Sequence, residues 1–178
     1  MARQARAQFS LDEVWFVPAA HPPHKSAGDR PDYEHRYRMV ELACRNEPGL
    51  VASRLEAGSE RSYSIKTIER VKAERPNQEI FFLIGADAFS EITTWMRWQD
   101  VIRSVEFIVV ARPGHRYAVP EGARVHRLDS VSLAVSSSEI RQRLSRGEAP
   151  VELPDAVLTY IREQGLYLQA GLQGGRAS

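Results

Sequence analysis

The stretch EIFFLIGADAFSEITTWMRW, residues 79–98, decides the fold. Its apolar run, residues 80–84, is too short for a buried helix and rich in strand-forming residues, so it predicts a strand covered on both faces. Strands of that kind are typical of parallel sheets. At the end of the strand, Gly85 lets the backbone approach a ligand and Asp87 supplies a carboxylate. Open α/β sheets bind nucleotides at this edge, so the stretch predicts a nucleotide site.

Two tryptophans follow Asp87 within a dozen residues. Trp95 and Trp98 each have a flat apolar ring and one polar N–H group, which suits contact with a planar ligand. In the alternative interpretation both rings belong to the core and Asp87 only caps the next helix. These residues alone do not distinguish the ligand-binding interpretation from the structural one.

Length and composition predict one domain with a sizeable core, because the chain has 178 residues of which 43% are apolar. We expect that domain to span residues 1–168 and the Gly-rich tail, residues 169–178, to be disordered. The 24 basic and 23 acidic side chains nearly cancel, giving a net charge of +1. Neither nucleic acid nor a membrane surface is therefore expected as a partner.

Cysteine content and hydropathy predict a cytoplasmic protein. The single cysteine, Cys44, excludes an internal disulfide and a multi-cysteine metal site, as is usual in a reducing compartment. No apolar run approaches the ~20 residues of a membrane span. The basic start MARQARAQ could belong to a transit peptide, but its helical spacing and direct entry into a strand favour a folded helix.

Apolar patterning predicts alternating strands and helices. Strands are expected at residues 14–18, 50–55, 80–84, 107–110 and 124–128, and helices at residues 2–9, 33–44, 62–75, 100–104, 140–146 and 154–164. This order predicts an α/β fold with a doubly wound parallel sheet. Nearly all unusual polar groups follow a strand or begin a helix, so they are expected along one edge of the sheet: Lys25, Ser62, Tyr63, Ser64, Asp87, Trp95 and Arg112.

The serines before the fifth predicted helix are a further candidate. Ser136, Ser137 and Ser138 precede Glu139 as in a capping box, and ordinary capping would explain them. The unpaired amides of a helix start can also hold a phosphate, with Arg141 one turn further on to clamp it. No nucleophile–base motif and no convincing metal ligand set occurs, since the histidines at positions 21 and 24 have no third partner. Nucleotidyl transfer needs only positioning and positive charge, so it suits this set of polar and basic candidate residues.

In sequence order, several motifs resemble bacterial nicotinate-nucleotide adenylyltransferases: VWFVPAAHPPHK (14–25), HRYRM (35–39), SYSIKT (62–67), FLIGADAF (82–89), TWMRW (94–98), VVARPG (109–114), VSSSEIR (135–141) and PDAVLTYIREQGLY (154–167). The match runs from about residue 2 to 167. The resemblance implies the Rossmann-like nucleotidyltransferase fold. It also implies transfer of the adenylyl group of ATP to nicotinate mononucleotide, giving deamido-NAD and pyrophosphate in NAD biosynthesis, with magnesium (Mg2+) carried by the ATP phosphates and no protein-bound metal.

The resemblance also implies roles for single residues. Trp95 would stack on the nicotinate ring, while Ser62, Tyr63 and Ser64 hold its carboxylate. The other implied contacts are Gly85 and Asp87 with ATP and its ribose, Arg112 with the adenine, and Lys25, Ser136, Ser137 and Arg141 with phosphates. Ser64 and Ser138 stand where the family usually has threonine, which keeps the hydroxyl. Lys66 replaces an acidic or polar residue and changes the local charge.

One departure from the family pattern is serious. The family opens with a strand and a loop of the form G-G-T-F-D-P-x-H-x-G-H, whose histidines stabilise charge on the α-phosphate, and Met1 falls in the helix that follows that loop. In the doubly wound order this strand lies between the strands at 14–18 and 80–84, so two buried edges are expected to be unpaired. We expect the reading frame to extend upstream and the chain as it stands to show little turnover. No catalytic residue is identifiable beyond the phosphate-stabilising Lys25 and Arg141.

Two alternatives stay open at the level of sequence. The chain could be a catalytically inactive nucleotide-binding module, or an adenylyltransferase for another acceptor such as pantetheine phosphate. Trp95 and the SYS segment favour a flat pyridine acceptor. Preference for nicotinate over nicotinamide and the oligomeric state, including a homo-oligomer, cannot be decided from the residues.

Overall fold

The computed structural model describes residues 1–21, 31–129 and 136–168. Within these ranges helices and strands alternate as the sequence predicts. In chain order the elements are α1 (Ala2–Gln8), β1 (Val14–Phe16), α2 (Tyr33–Cys44), β2 (Leu50–Ala52), α3 (Ser64–Glu74), β3 (Phe81–Gly85), α4 (Ala86–Ser90), a 3-10 turn (Ile92–Thr94), α5 (Trp98–Ser104), β4 (Glu106–Ala111), β5 (Arg124–Asp129), α6 (Ser137–Ser145) and α7 (Asp155–Glu163).

The chain divides into two compact units. The first comprises Met1–Lys25 and Gly49–Leu133, and the second Ser26–Pro48 and Ala134–Ser178. The strands of the described ranges all lie in the first unit, whereas α2, α6 and α7 lie in the second. A single domain over residues 1–168 stays a prediction, and the tail from residue 169 lies outside the described residues. No helix in the described part of the chain combines the length and the apolar character that crossing a membrane requires.

The strands of the first unit pair in parallel, which confirms the predicted sheet type. β1 pairs with β2 in the register Val14 opposite Leu50. β3, β4 and β5 form a second sheet in that order, with Phe81 opposite Glu106. β5 is an outer strand, as predicted. Within the described ranges the two sheets are not joined by strand pairing.

β4 is the strand that is covered on both faces. Phe107 and Val109 pack into a cluster with α3, α4 and α5 that includes Ile65 and Phe89. The residues between them, Ile108 and Val110, pack into a second cluster with Ala5 of α1 and Leu128 of β5. Because successive side chains of a strand point to opposite faces, β4 holds helices of the first unit on both sides of the sheet.

β3 is less covered than its apolar sequence predicts. Of its five residues only Ile84 is buried, while Phe81, Phe82 and Leu83 are half-exposed. Phe16 of β1 is likewise 36% exposed. The expectation of full burial is therefore wrong for these two strands, and the reason lies in the cavity between them.

A cavity of about 960 Å³ separates β1 from β3 within the first unit. We call it the inter-sheet groove and define it by Trp15, Phe16, Phe81, Leu83 and Ile108, which lie along its walls. The side chains of Phe16, Phe81 and Leu83 border this open space, so they stay partly exposed. The groove lies where the sequence predicts two unpaired strand edges.

The backbone register fixes which groups face the groove. The N–H of Val14 donates to the carbonyl of Gly49 and the N–H of Ser53 donates to the carbonyl of Phe16, so Val14 and Phe16 bond toward β2. Since neighbouring residues of a strand direct their backbone groups to opposite sides, those of Trp15 point away from β2. The same alternation directs the backbone groups of Phe81 and Leu83 away from β4.

An ion cluster fastens the amino-terminal ends of β4 and β5. Glu106 lies 2.6 Å from the Nε2 of His126 and 3.1 Å from the Nε of Arg124. The hydrogen bond with His126 and the charge of Arg124 hold the pKa of Glu106 below its usual value, although desolvation opposes them. The His126 ring also contacts the rings of Phe9 and Phe81 edge-on.

The second unit is a small helical cluster. Leu144 of α6 packs with Val157 and Ile161 of α7, as the apolar spacing of α7 predicts. His35 of α2 and Tyr160 of α7 share a hydrogen bond of 2.8 Å. Pro154, predicted as the first residue of α7, is its N-cap instead, and α7 ends one residue before the predicted Gln164.

Cys44 lies half-buried at the end of α2. Burial, together with the nearby negative charge of Glu47, raises the pKa of its thiol. Both effects disfavour the reactive thiolate, so a structural role suits this residue better than a catalytic one.

Candidate functional site

The carboxyl ends of β3 and β4 bring three predicted site residues to one edge of the sheet. Gly85 is paired with Val110 in the parallel register, so the residues that follow both strands start at the same level. Asp87 lies in the first turn of α4, and Arg112 directly follows β4. Both side chains belong to exposed residues. This edge therefore offers a carboxylate and a guanidinium to the same stretch of solvent.

Gly85 is not required by the backbone conformation. Its φ of −72° and ψ of 148° are open to any residue, and a Cβ added there would meet no atom within 4 Å. Packing within the described chain therefore leaves open space at this residue. Such space is compatible with the close approach of a ligand that the sequence predicts.

Asp87 does not act as the cap of α4. The N-cap of α4 is Gly85, and no side-chain capping bond is present there. The Asp87 carboxylate is fully exposed and lies 4.0 Å from the Nε2 of His115, in the turn after β4. The alternative interpretation of Asp87 as a helix cap is therefore wrong. His115 was not among the predicted residues, although its place after β4 puts it at the same edge.

The loops that follow β1 and β2 are joined to each other. The N–H of His21 donates to the Oγ of Ser62 at 3.1 Å, and the N–H of Ser62 donates to the carbonyl of His21 at 3.0 Å. Because Phe16 lies opposite Ala52, both loops leave the sheet at the same edge. The structure thus holds the predicted acceptor segment, residues 62–64, against the loop after β1.

Tyr63 and Trp95 pack against the same core cluster. Both are half-buried on the cluster that contains Ile65, Phe89 and other buried residues of the first unit. The Trp95 ring meets the Phe82 ring edge-on, with centroids 6.0 Å apart. Neither Trp95 nor Trp98 is fully buried, so the interpretation of both as ordinary core residues is too simple. Lys66, the unusual residue of the SYSIKT motif, is exposed and lies 5.9 Å from the Tyr63 ring centroid.

The predicted phosphate-binding residues that are described lie in the second unit. Ser136 is the N-cap of α6, and its Oγ accepts from the N–H of Glu139 at 3.1 Å. Arg141 donates to the Oγ of Ser138 at 3.1 Å. Ser136, Ser137 and Arg141 are all exposed at the start of the helix. Capping by Ser136 is therefore present, and phosphate binding there stays a prediction.

Lys25 lies outside the described residues, as does the rest of the proline loop, residues 22–30.

One functional candidate was not predicted from the sequence. Glu56, in the turn after β2, is buried beneath the acceptor segment. No periodic pattern marks it, because it lies in a turn rich in glycine, serine and charge.

Comparison with known proteins identifies the family. The cytidylyltransferase-like family model matches residues 1–143. A relative from Solibacter usitatus, named "Probable nicotinate-nucleotide adenylyltransferase", is 54% identical over 167 residues, covering 93% of this chain and 89% of the relative. A relative of the same name from Exiguobacterium sibiricum is 42% identical over 169 residues, covering 94% and 89%.

Solved structures show the same fold at lower identity. The Plasmodium falciparum nicotinic acid mononucleotide adenylyltransferase complexed with NaAD superposes with a TM-score of 0.71 at 20% identity, covering 88% of this chain and 83% of that one. A structure described as "a Putative Nicotinate-nucleotide Adenylyltransferase from Vibrio parahaemolyticus" gives a TM-score of 0.65 at 17% identity, covering 93% of this chain and 86% of that one. The fold is the Rossmann-like nucleotidyltransferase fold, and the chain belongs to the nicotinate-nucleotide adenylyltransferases of the cytidylyltransferase-like family.

Proposed function

We propose that this chain transfers the adenylyl group of ATP to nicotinate mononucleotide, giving deamido-NAD and pyrophosphate. The observation that carries the proposal is one sheet edge of the first unit. It presents Gly85, Asp87 and Arg112 at the ends of β3 and β4, with Trp95 and Tyr63 packed on the adjoining core cluster. The names of the relatives supply the substrates. ATP enters with magnesium on its phosphates, so the metal belongs to the substrate.

The reaction requires no covalent intermediate with the protein. A phosphate oxygen of nicotinate mononucleotide attacks the α-phosphorus of ATP and forms a new phosphorus–oxygen bond. The bond from the α-phosphorus to the bridging oxygen breaks, and pyrophosphate leaves with the electron pair. The attacking oxygen is already anionic and needs no general base. Positioning and charge stabilisation therefore supply the catalysis.

Each part of the two nucleotides has a suitable partner among the residues of the proposed site. The indole of Trp95 offers a flat face for the pyridine ring, and the hydroxyls and amides of residues 62–64 suit its carboxylate. The Asp87 carboxylate suits a ribose hydroxyl, from which it would accept a hydrogen bond. The open space at Gly85 admits the nucleotide. Arg112 borders the adenine in this proposal. Positive charge for the phosphates comes from Lys25 and Arg141, and helix-start groups from Ser136 and Ser137.

A direct assay tests the proposal. ATP, magnesium and nicotinate mononucleotide are incubated with the protein, and deamido-NAD and pyrophosphate are measured together. Nicotinamide mononucleotide and pantetheine phosphate serve as competing acceptors. Product from nicotinate mononucleotide alone supports the proposal, whereas product only from pantetheine phosphate contradicts it.

A second candidate function is a nucleotide-binding module without turnover. The observation that favours it is that the roles argued for Gly85, Asp87, Arg112 and Trp95 are all binding roles. Thermal shifts with each nucleotide, measured beside the turnover assay, separate the two functions. A binding module gains melting temperature with both nucleotides and forms no deamido-NAD.

A further inference from the structure

Glu56 is the exceptional residue of the first unit's interior. Its side chain is buried with 6% exposure, and it is the one polar or charged residue in the buried class among the residues that the structure describes. Burying a carboxylate is unfavourable unless hydrogen bonds compensate it. The burial of Glu56 therefore depends on the hydrogen bonds that its carboxylate makes.

The two carboxylate oxygens bond to different segments of the chain. The Oε2 accepts from the N–H of Ala20 at 3.3 Å, in the loop after β1. The Oε1 accepts from the hydroxyl of Thr67, in the first turn of α3. The Thr67 hydroxyl also lies 3.3 Å from the carbonyl of Tyr63. Glu56 thus links the loop after β1 to the start of α3.

These bonds lie directly behind the segment proposed to bind the acceptor. Ala20 precedes His21, whose N–H donates to the Oγ of Ser62 and whose carbonyl accepts from the N–H of Ser62. Tyr63 begins α3 as its N-cap. One carboxylate therefore fixes both the loop to which Ser62 bonds and the first turn of the helix that Tyr63 caps. A shift of this anchor would move the amides and hydroxyls of residues 62–64 together.

We propose that Glu56 is a positioning residue for the acceptor nucleotide, setting the place of residues 62–64 without touching the nucleotide itself. The inference rests on the proposed function, because it takes nicotinate mononucleotide as the ligand of that segment. Its effect is confined to the acceptor half of the site. The ATP-facing residues belong to other strands: Gly85 ends β3, Asp87 follows it, and Arg112 follows β4.

The test measures the dissociation constants of both nucleotides by calorimetry. Glu56→Ala is expected to weaken nicotinate mononucleotide binding about tenfold or more, the order expected when a hydrogen-bonded charged group is removed. ATP binding should stay within about twofold. Glu56→Gln should retain most acceptor affinity, because its carbonyl can accept from Ala20 and its amide can donate to Thr67, whose hydroxyl still reaches the Tyr63 carbonyl.

Two further variants guard against a simple loss of stability. Thr67→Val removes one donor to Glu56 while keeping the side-chain volume, and should weaken acceptor binding by a smaller factor even if Glu56→Ala fails to fold. Glu60→Ala removes an exposed acid from the same turn and should change nothing. Unchanged acceptor affinity in Glu56→Ala and Thr67→Val, or equal losses for both nucleotides, would overturn the role of Glu56 alone. Failure of the unaltered protein to bind nicotinate mononucleotide would overturn the proposed function as well.

Discussion

Amide hydrogen exchange after transfer of the protein from H2O to D2O should reveal the inter-sheet groove residue by residue. In β3, the parallel register directs the N–H groups of Phe82 and Ile84 to β4 and those of Phe81 and Leu83 to the groove. The groove is large enough to admit water. Amide exchange along β3 is therefore expected to alternate between slow and fast.

The size of the alternation follows from the stability of the sheet. An amide bonded inside a core sheet exchanges mainly through global unfolding, which costs at least about 5 kcal/mol in a stable domain. Since each 1.36 kcal/mol is a factor of ten, Phe82 and Ile84 should exchange at least about a thousandfold more slowly than an open amide. Phe81 and Leu83 should lack most of that protection.

Two-dimensional ¹⁵N NMR spectra recorded after the transfer measure these rates. β1 provides an internal repeat of the experiment, because the Trp15 N–H faces the groove while that of Phe16 faces β2. Equal protection of Phe81 and Phe82 would refute the reasoning. It would mean that a further row of acceptors lies along the groove and joins the two sheets.

Three further outcomes are expected. Phe89→Ala should cost about 3–5 kcal/mol of unfolding free energy in a denaturant titration, because this ring is fully buried and lies 5.2 Å from the Phe107 ring; Phe16→Ala, at a 36% exposed site, should cost far less, and equal losses would contradict the core assignment. Glu106→Gln should flatten the acid limb of the stability curve. The folded-state pKa of Glu106 is lowered, so its contribution is complete above the unfolded value of about 4.3 and is lost as the pH falls through the folded value; an unchanged acid limb would argue against this. Trp95→Ala should weaken nicotinate mononucleotide binding by about 1–3 kcal/mol in calorimetry and leave ATP binding intact, with Trp98→Ala as the matched control.

Much of the fold could be predicted because its signals are local. The apolar run before Gly85 predicts β3, and the position of Pro76 predicts the end of α3. Gly147 and Gly165 follow α6 and α7 with positive φ, the conformation in which glycine commonly ends a helix. The parallel pairing followed from the alternation of strands and helices. Each of these features depends on residues close together in the chain.

The degree of burial was harder to predict, because it depends on neighbours that a local pattern does not contain. Phe81 and Phe107 have equally apolar surroundings in the sequence, yet only Phe107 is covered. The difference arises from the groove beside β3. A start of α5 at Trp98 was missed for a similar reason, since it depends on Arg97 adopting a φ of 53° while pairing with Asp100 and Glu69.

The positions of the site residues could be predicted from the sequence. The contacts that support those residues could not. Asp87 and Arg112 could be assigned to one sheet edge because each follows a parallel strand. Glu56 and His115 carry no comparable signal: the first is a charged residue in a polar turn, and the second follows a proline–glycine turn. Their places depend on contacts with residues 11 and 28 positions away, respectively.

The edges of the two sheets differ in how well they resist pairing with another molecule. β5, at an outer edge, has the sequence RVHRLD, whose charges discourage a foreign strand from adding there. β1 and β3 instead present uncharged backbone edges flanked by large apolar rings. Self-association and precipitation on concentrating the protein are therefore expected to start at the groove. A lysine substituted for Phe16 should raise solubility more than one added to β5.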